Sequence, residues 1–548
     1  MSNKMIKEVK EVRNDFKVKR VTNFMGGNSY EVNALDTLKM VTASSIFGEP
    51  SYYRDGEFDS AKIKDGSFSF WAPLKDDLVI DGDRFNGMKT STIMETVIDD
   101  ALSENFGAVL DWAVELRTAY NMRLNPQIIM VRVAQHPARV EFNEKNPGKF
   151  VEAQKLVMSR ADEPASQLTY YLYKNKSKNN LPNILKRTWK AKLESLSKYQ
   201  VAKYKNTGLG MIDVVRISHA NSAVLDELMK NGTVAVEESD KTWENLRSEK
   251  KSWTEILDTI KMGHMALLRN LRNIFTEIND VEKANKILND LKAGVLDGKQ
   301  FPFRYYTAYK MIEHASINHK ALVLDALEEC MDISLDNMPK LKGKTMVLTD
   351  NSGSAWGTIP SEYGSVTVAE IDNVSAVITA MLSDEGYVGV FGDELKIIPI
   401  KKRDGILTQA KKVSSVGRGI GGSTENGIWL FFEQAIKNHE YYDNIFIYSD
   451  MQAGHGGLYG IGSSYVIDGE SFACRNRYID VMKLIDKYRS TVNPKANVFC
   501  VQTAGYNNVL IPEYTYRGAV LYGWTGKESL FASKIIEQWD NIENNKGN

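Results

Sequence analysis

The segment Thr345-Met-Val-Leu-Thr-Asp-Asn-Ser-Gly-Ser354 decides how the second half of this chain is read. Its first five residues are apolar or β-branched, which is a strand signal. Asp350 stops that run, and a polar loop follows with hydroxyls at Ser352 and Ser354. Beyond it, short apolar runs alternate with helical periodicity. Helices are predicted over 366–383, 425–435, 475–489 and 528–539, and strands over 387–391, 445–448, 497–502 and 519–522. That alternation predicts βαβ units and a doubly wound, mainly parallel sheet covered on both faces. We place this α/β domain at 341–548, after the break Asn337-Met-Pro-Lys-Leu-Lys-Gly343.

Upstream the grammar is helical. Apolar residues recur at helical spacing over 94–121, with Gly107 as the expected break, and again over 151–160, 182–202, 253–275, 280–293, 303–314 and 320–331. An α-helical repeat array and an irregular bundle both satisfy this pattern, because no strict period emerges. The helical domain is expected to span 1–340.

Composition excludes several classes. The chain has 548 residues, 43% hydrophobic and 25% charged, with a formal net charge of -1. Those figures exclude a disordered or collagen-like chain. Three distant cysteines, Cys330, Cys474 and Cys500, fit a reducing compartment, and Cys500 in its apolar run reads as a buried thiol. The charged N-terminus and the lack of an ~18-residue apolar run predict a cytoplasmic protein with no membrane span. Neutrality hides an uneven distribution. Residues 341–548 hold 20 basic and 23 acidic side chains against 49 and 47 before them, and 174–205 alone holds ten basic residues and one acid, Glu194.

Three constellations could carry chemistry. Asp350, Ser352 and Ser354 offer three hard oxygens to one point beyond a strand's carboxyl end, where ligands of open α/β sheets gather. With the loop Gly421-Gly-Ser-Thr-Glu-Asn426 and with Asp450 at a second strand end, they suit Mg²⁺ or Ca²⁺. The run Gly417-Arg-Gly-Ile-Gly-Gly422 formally matches GxGxxG. No strand precedes it, so it reads as a loop feeding Ser423 and Thr424 and not as a dinucleotide fingerprint. The basic stretch carries Lys186, Arg187, Lys190, Lys203 and Lys205 with Trp189, Tyr199 and Tyr204 among them, and Arg216 and His219 follow. It reads either as a solvated helix face or as a surface that tracks phosphates and stacks unpaired bases. No GxxxxGK[ST], HExxH or GxSxG occurs, and no nucleophile–base pair is legible.

Several segments occur in an order that resembles the Ro ribonucleoprotein autoantigen family: Gly26-Gly-Asn-Ser-Tyr30, Phe47-Gly-Glu-Pro-Ser-Tyr-Tyr53, Lys198-Tyr-Gln-Val-Ala-Lys-Tyr204, Val215-Arg-Ile-Ser-His219, Met265-Ala-Leu-Leu-Arg-Asn-Leu271 and Phe301-Pro-Phe-Arg304. The resemblance implies a HEAT-like helical ring, the TROVE domain, closed by a von Willebrand factor A domain. It implies Y RNA on the outer ring surface and single-stranded ends of misfolded noncoding RNA in a central hole. It further implies a noncatalytic role in RNA quality control beside an exoribonuclease such as polynucleotide phosphorylase, with the protein itself a monomer. Lys203, Lys205, Arg216 and His219 are carried over as Y RNA residues, whereas Lys186, Arg187 and Lys190 rest on the basic patch. Asp350, Ser352 and Ser354 match the metal-ion-dependent adhesion site, completed by Thr424 and Asp450, with Mg²⁺ the expected ion. The second loop reads Gly-Gly-Ser-Thr where Gly-Gly-Thr is usual, and spacing favours Thr424 over Ser423. The alternative is a metal-dependent protein-binding module. A two-metal phosphoryl-transfer enzyme using Asp350 and Asp450 ranks below both, because few carboxylates surround those loops.

Overall fold

The computed structural model describes residues 90–119, 122–175, 179–204, 209–235, 241–357, 366–422, 425–450, 465–473 and 479–503, with parts of 20–42 and 510–540. A short antiparallel pair, β1 (Arg20–Thr22) and β2 (Asn28–Tyr30), comes first. Helices then succeed one another from Thr90 to Ser334. The helix Thr90–Thr118 bends where Asn105 leaves helical geometry (φ -150°, ψ 86°). The break therefore falls two residues before the expected Gly107.

The predicted helix over 182–202 is two helices, Asn183–Glu194 and Lys198–Ala202. Ser197 caps the second by accepting the Gln200 N–H, while Gln200 returns a bond to Ser197 N–H. This reciprocal cap satisfies donors that a continuous helix would not expose. Likewise 253–275 divides into Trp253–Thr259 and His264–Glu277.

The strand β3 (Leu341–Asp350) opens the α/β part. After it come β4 (Ser383–Phe391), β5 (Leu395–Pro399), β6 (Asn444–Ser449), β7 (Val466–Ile467), β8 (Glu470–Ser471), β9 (Asn497–Gln502), β10 (Tyr514–Thr515) and β11 (Gly518–Tyr522). Seven of these form one sheet in the order β10-β11-β9-β6-β3-β4-β5, parallel except at its two edges. Side chains alternate along β3. Met346 and Leu348 pack with Phe432, Ile447 and Ile485, whereas Val347 packs with Val377, Val388 and Phe446 in the core shared with the helical part. Both faces are covered, as parallel strands require.

The edge strand β5 and the helix Ile406–Gly417 were not legible as elements. The helix predicted over 475–489 is Val481–Thr491. Chain order reverses at β3, which has β4 on one side and β6 on the other. That topological switch point opens a crevice at the strands' carboxyl ends.

Candidate functional site

Asp350 and Asp450 leave adjacent strands at this crevice and are both fully buried. Register places Thr349 against Tyr448, so the two carboxylates emerge side by side. Asp350 is fixed from both sides: Oδ1 accepts the Ser352 N–H (2.8 Å), and Oδ2 accepts the Ser449 hydroxyl (2.6 Å). Ser352 Oγ lies 3.0 Å from Ser354 Oγ. Two strand-end carboxylates and a pair of adjoining hydroxyls thus converge where the sequence placed them.

The glycine-rich run shapes the neighbouring wall. It follows the helix Ile406–Gly417, which confirms that it is no strand-to-helix dinucleotide turn. Gly421 adopts φ +91°, and a Cβ there would sit 2.0 Å from Asp393 Oδ2, so neither conformation nor space admits a side chain. Gly422 O accepts the Gly353 N–H (3.2 Å), which ties this loop to the Ser352–Ser354 turn. Thr424 and Ser423 lie outside the described residues. The rim carries a cation: the Arg418 guanidinium stacks 4.1 Å from the Trp356 ring.

Sequence reasoning missed Asp372. It sits in the helix Val368–Leu382, whose residues are all buried except the half-buried Glu370. The only signal was a carboxylate within the most apolar helical run of the α/β half. Burial first, then the charge of Asp450, pushes Asp350 up to about 7, against hydrogen bonds from Ser449 and Ser352. Asp372 is raised well above the usual carboxylate range by burial, and then by Asp350 and Asp450. Three buried carboxylates that oppose one another's ionisation create a demand for positive charge. The donor set, hard oxygens around buried negative charge, fits a divalent cation.

The basic stretch is a second, separate feature. Arg187, Lys190, Lys203, Arg216 and His219 are exposed and Lys186 is half-buried, while Lys205 lies outside the described residues. Helices Asn183–Glu194 and Met211–Ser218 pack together, and Glu194 accepts the Asn221 N–H (2.9 Å), which brings their C-terminal ends to one place. His219 ends the second helix in the left-handed conformation (φ 53°), projecting beside Arg216. Lys203 Nζ stands 5.8 Å from the exposed Tyr199 ring.

Other members of the stretch do different work. Trp189 is fully buried, and its indole N–H donates to Gln167 Oε1 (2.6 Å), so it cannot stack on a base. Leu185, Trp189 and Leu193 share one buried stripe at i, i+4, i+8, a pattern that could have placed it inside. Tyr204 is half-buried with Arg160 over its ring (5.3 Å). Lys174 is ion-paired with the buried Glu95. Lys192 donates to Ser159 O (3.0 Å), and burial lowers its pKa.

Successive helices running into a doubly wound sheet with an acidic, hydroxyl-lined crevice define the class: a helical domain joined to a von Willebrand factor A-like domain. Residues 230–341 match the family model of the TROVE domain. The crystal structure of the Deinococcus radiodurans Ro (RSR) protein matches with a TM-score of 0.52 at 13% identity, over 81% of this chain and 93% of that one. No curated protein matches the sequence. The chain therefore shares the fold of that bacterial Ro protein, and carries a TROVE-domain match over 230–341.

Proposed function

We propose that this protein binds RNA in the manner of a Ro ribonucleoprotein, with no catalytic role, in cytoplasmic RNA quality control or degradation. On this reading residues 1–340 form the RNA-binding helical domain and 341–548 the A-type domain that completes it. Y RNA occupies the face that carries Lys186, Arg187, Lys190, Lys203, Lys205, Arg216 and His219, and single-stranded ends of misfolded RNA enter a central hole. An exoribonuclease such as polynucleotide phosphorylase is the expected protein partner. The observation that carries the reading is the exposure of Arg187, Lys190, Lys203, Arg216 and His219, with the helices that carry Arg187, Lys190 and Arg216 packed together, in a chain with a TROVE-domain match. Exposed cations beside an exposed tyrosine suit phosphates and unpaired bases.

The deciding experiment is filter binding of a structured RNA with a single-stranded tail, at two salt concentrations. Binding should fall steeply with salt, and trimming the tail should weaken it. Replacing Lys203, Arg216 and His219 together should weaken binding of a small stem-loop RNA more than binding of the tail. No binding at low salt rejects the reading, and indifference to trimming rejects the central hole.

The crevice supports a second activity. Asp350, Ser352, Ser354, Thr424 and Asp450 would hold a divalent cation, Mg²⁺, whose exchangeable position would take a partner's carboxylate. A pull-down with and without EDTA separates the two: RNA binding survives chelation, whereas this contact does not.

A further inference from the structure

Asp372 is the one buried carboxylate in the crevice that the metal signature does not include. Both of its oxygens are enclosed and accept no hydrogen bond. The Thr503 hydroxyl, 3.2 Å from Ser449 O, is the nearest donor and only partly offsets the burial of the carboxylate. The side chain is also held in place through its neighbour. Asn373 Oδ1 accepts from Thr349 Oγ1 (2.8 Å) and from Asn351 Nδ2 (2.9 Å), and Asn373 Nδ2 donates to Asn351 Oδ1 (2.9 Å) and Ser414 Oγ (3.1 Å). That lattice clamps the helix Val368–Leu382 onto the strand that delivers Asp350.

A sealed carboxylate without donors costs several kcal/mol when nothing compensates it. A residue with a purely packing role at this position would be apolar or an amide. Among the described residues, no three His, Cys, Asp or Glu side chains converge closely enough to ligate one ion directly. Mg²⁺ keeps several of its waters when it binds protein.

We propose that Asp372 is an outer carboxylate of the crevice's cation site, which accepts a hydrogen bond from a water of the bound ion and adds a third negative charge. The inference rests on the reading that the crevice takes a divalent cation. The residue would make the site discriminate for hydrated divalent ions over monovalent ones.

The test is calorimetric titration of Mg²⁺ into the full chain, with Mn²⁺ electron spin resonance as a second readout and the thermal midpoint in EDTA as the control for folding. Wild type should bind one ion, and Asp350→Asn should abolish binding. Asp372→Asn should bind ~10–100-fold more weakly, as removal of an outer partner does, while melting no lower than wild type in EDTA. Asp372→Ser, smaller and uncharged, should do the same if the amide variant folds poorly. Wild-type affinity in a folded Asp372 variant overturns the proposal, and so does complete loss of binding, which would make Asp372 a direct ligand. A wild-type chain that takes neither ion overturns the cation reading itself.

Discussion

The molecule buries polar side chains in two places and treats them in opposite ways. Inside the helical part, Gln127, Gln154, Gln167, Thr188 and Trp189 bond to one another, and Arg117 reaches Glu163 (2.7 Å) together with the carbonyls of Val157 and Met122. Every one of these donors points at an acceptor. In the α/β part, Asp350, Asp372 and Asp450 are equally buried, yet they are like charges set near one another. The first cluster has the economy of a structural network, in which satisfied bonds select one packing. The second sets like charges against one another in a buried place, the kind of perturbed cluster that gathers at functional sites. Burial alone does not distinguish structure from function. The sign of the charges and the supply of donors do.

If the helical network is structural, breaking it must cost stability and nothing added from solution should restore it. Glu163→Ala leaves the Arg117 guanidinium buried without its carboxylate. It should destabilise the fold by about 3–5 kcal/mol in urea unfolding, the range for a broken buried pair. A loss below ~1 kcal/mol would dissolve the contrast between the two clusters. Trp189→Phe strips the donor from Gln167 Oε1 and leaves part of the indole's volume unfilled, and should cost about 1–3 kcal/mol. Mg²⁺ should not offset either loss beyond its effect on wild type.

The sequence made one of these two clusters legible and hid the other. Asp350 and Asp450 each end an apolar run, and Ser352 and Ser354 follow at fixed spacing, so both the sheet and its crevice could be read from local pattern. The glutamine network could not, because Gln127, Gln154 and Gln167 come from three separate helices and meet only through packing. Asp372 was invisible for the opposite reason: it shares its helix with a second acid, Glu370, and only tertiary structure shows which of the two lies buried near Asp350 and Asp450. Trp189 sits among ten cations in sequence, yet its stripe with Leu185 and Leu193 is what puts it in the core. The edge strand Leu395–Pro399 is only five residues long, too short to raise a period-2 signal.

His264 sharpens the comparison from within the helical part. Its Nδ1 lies 3.0 Å from Leu291 O, which can only accept, so Nδ1 carries the proton and Nε2 accepts from the Tyr305 hydroxyl (2.7 Å). Burial holds its pKa below the ordinary 6.5, opposed by the Leu291 carbonyl. The folded chain therefore binds fewer protons than the unfolded one below pH ~6.5. Stability from this residue is complete above that pH and is lost as pH falls through the folded-state pKa. His264→Gln should flatten that part of the stability–pH curve. An unchanged curve would show that the imidazole charges without cost.

The smallest stability effect belongs to the exposed cations, and there smallness is the diagnostic. Arg187, Lys203 and Arg216 are solvent-facing. Replacing all three with alanine should change unfolding free energy by no more than about 0.5 kcal/mol per site. The same variant should lower the slope of log affinity for RNA against log salt by roughly 2–3, since each phosphate contact contributes about 0.7–0.9. An unchanged slope with weaker binding would mean that the three residues shape the surface without touching phosphate. A large stability loss would make them part of the helical scaffold, and the division between buried structural polarity and exposed functional charge would then fail in this half of the molecule.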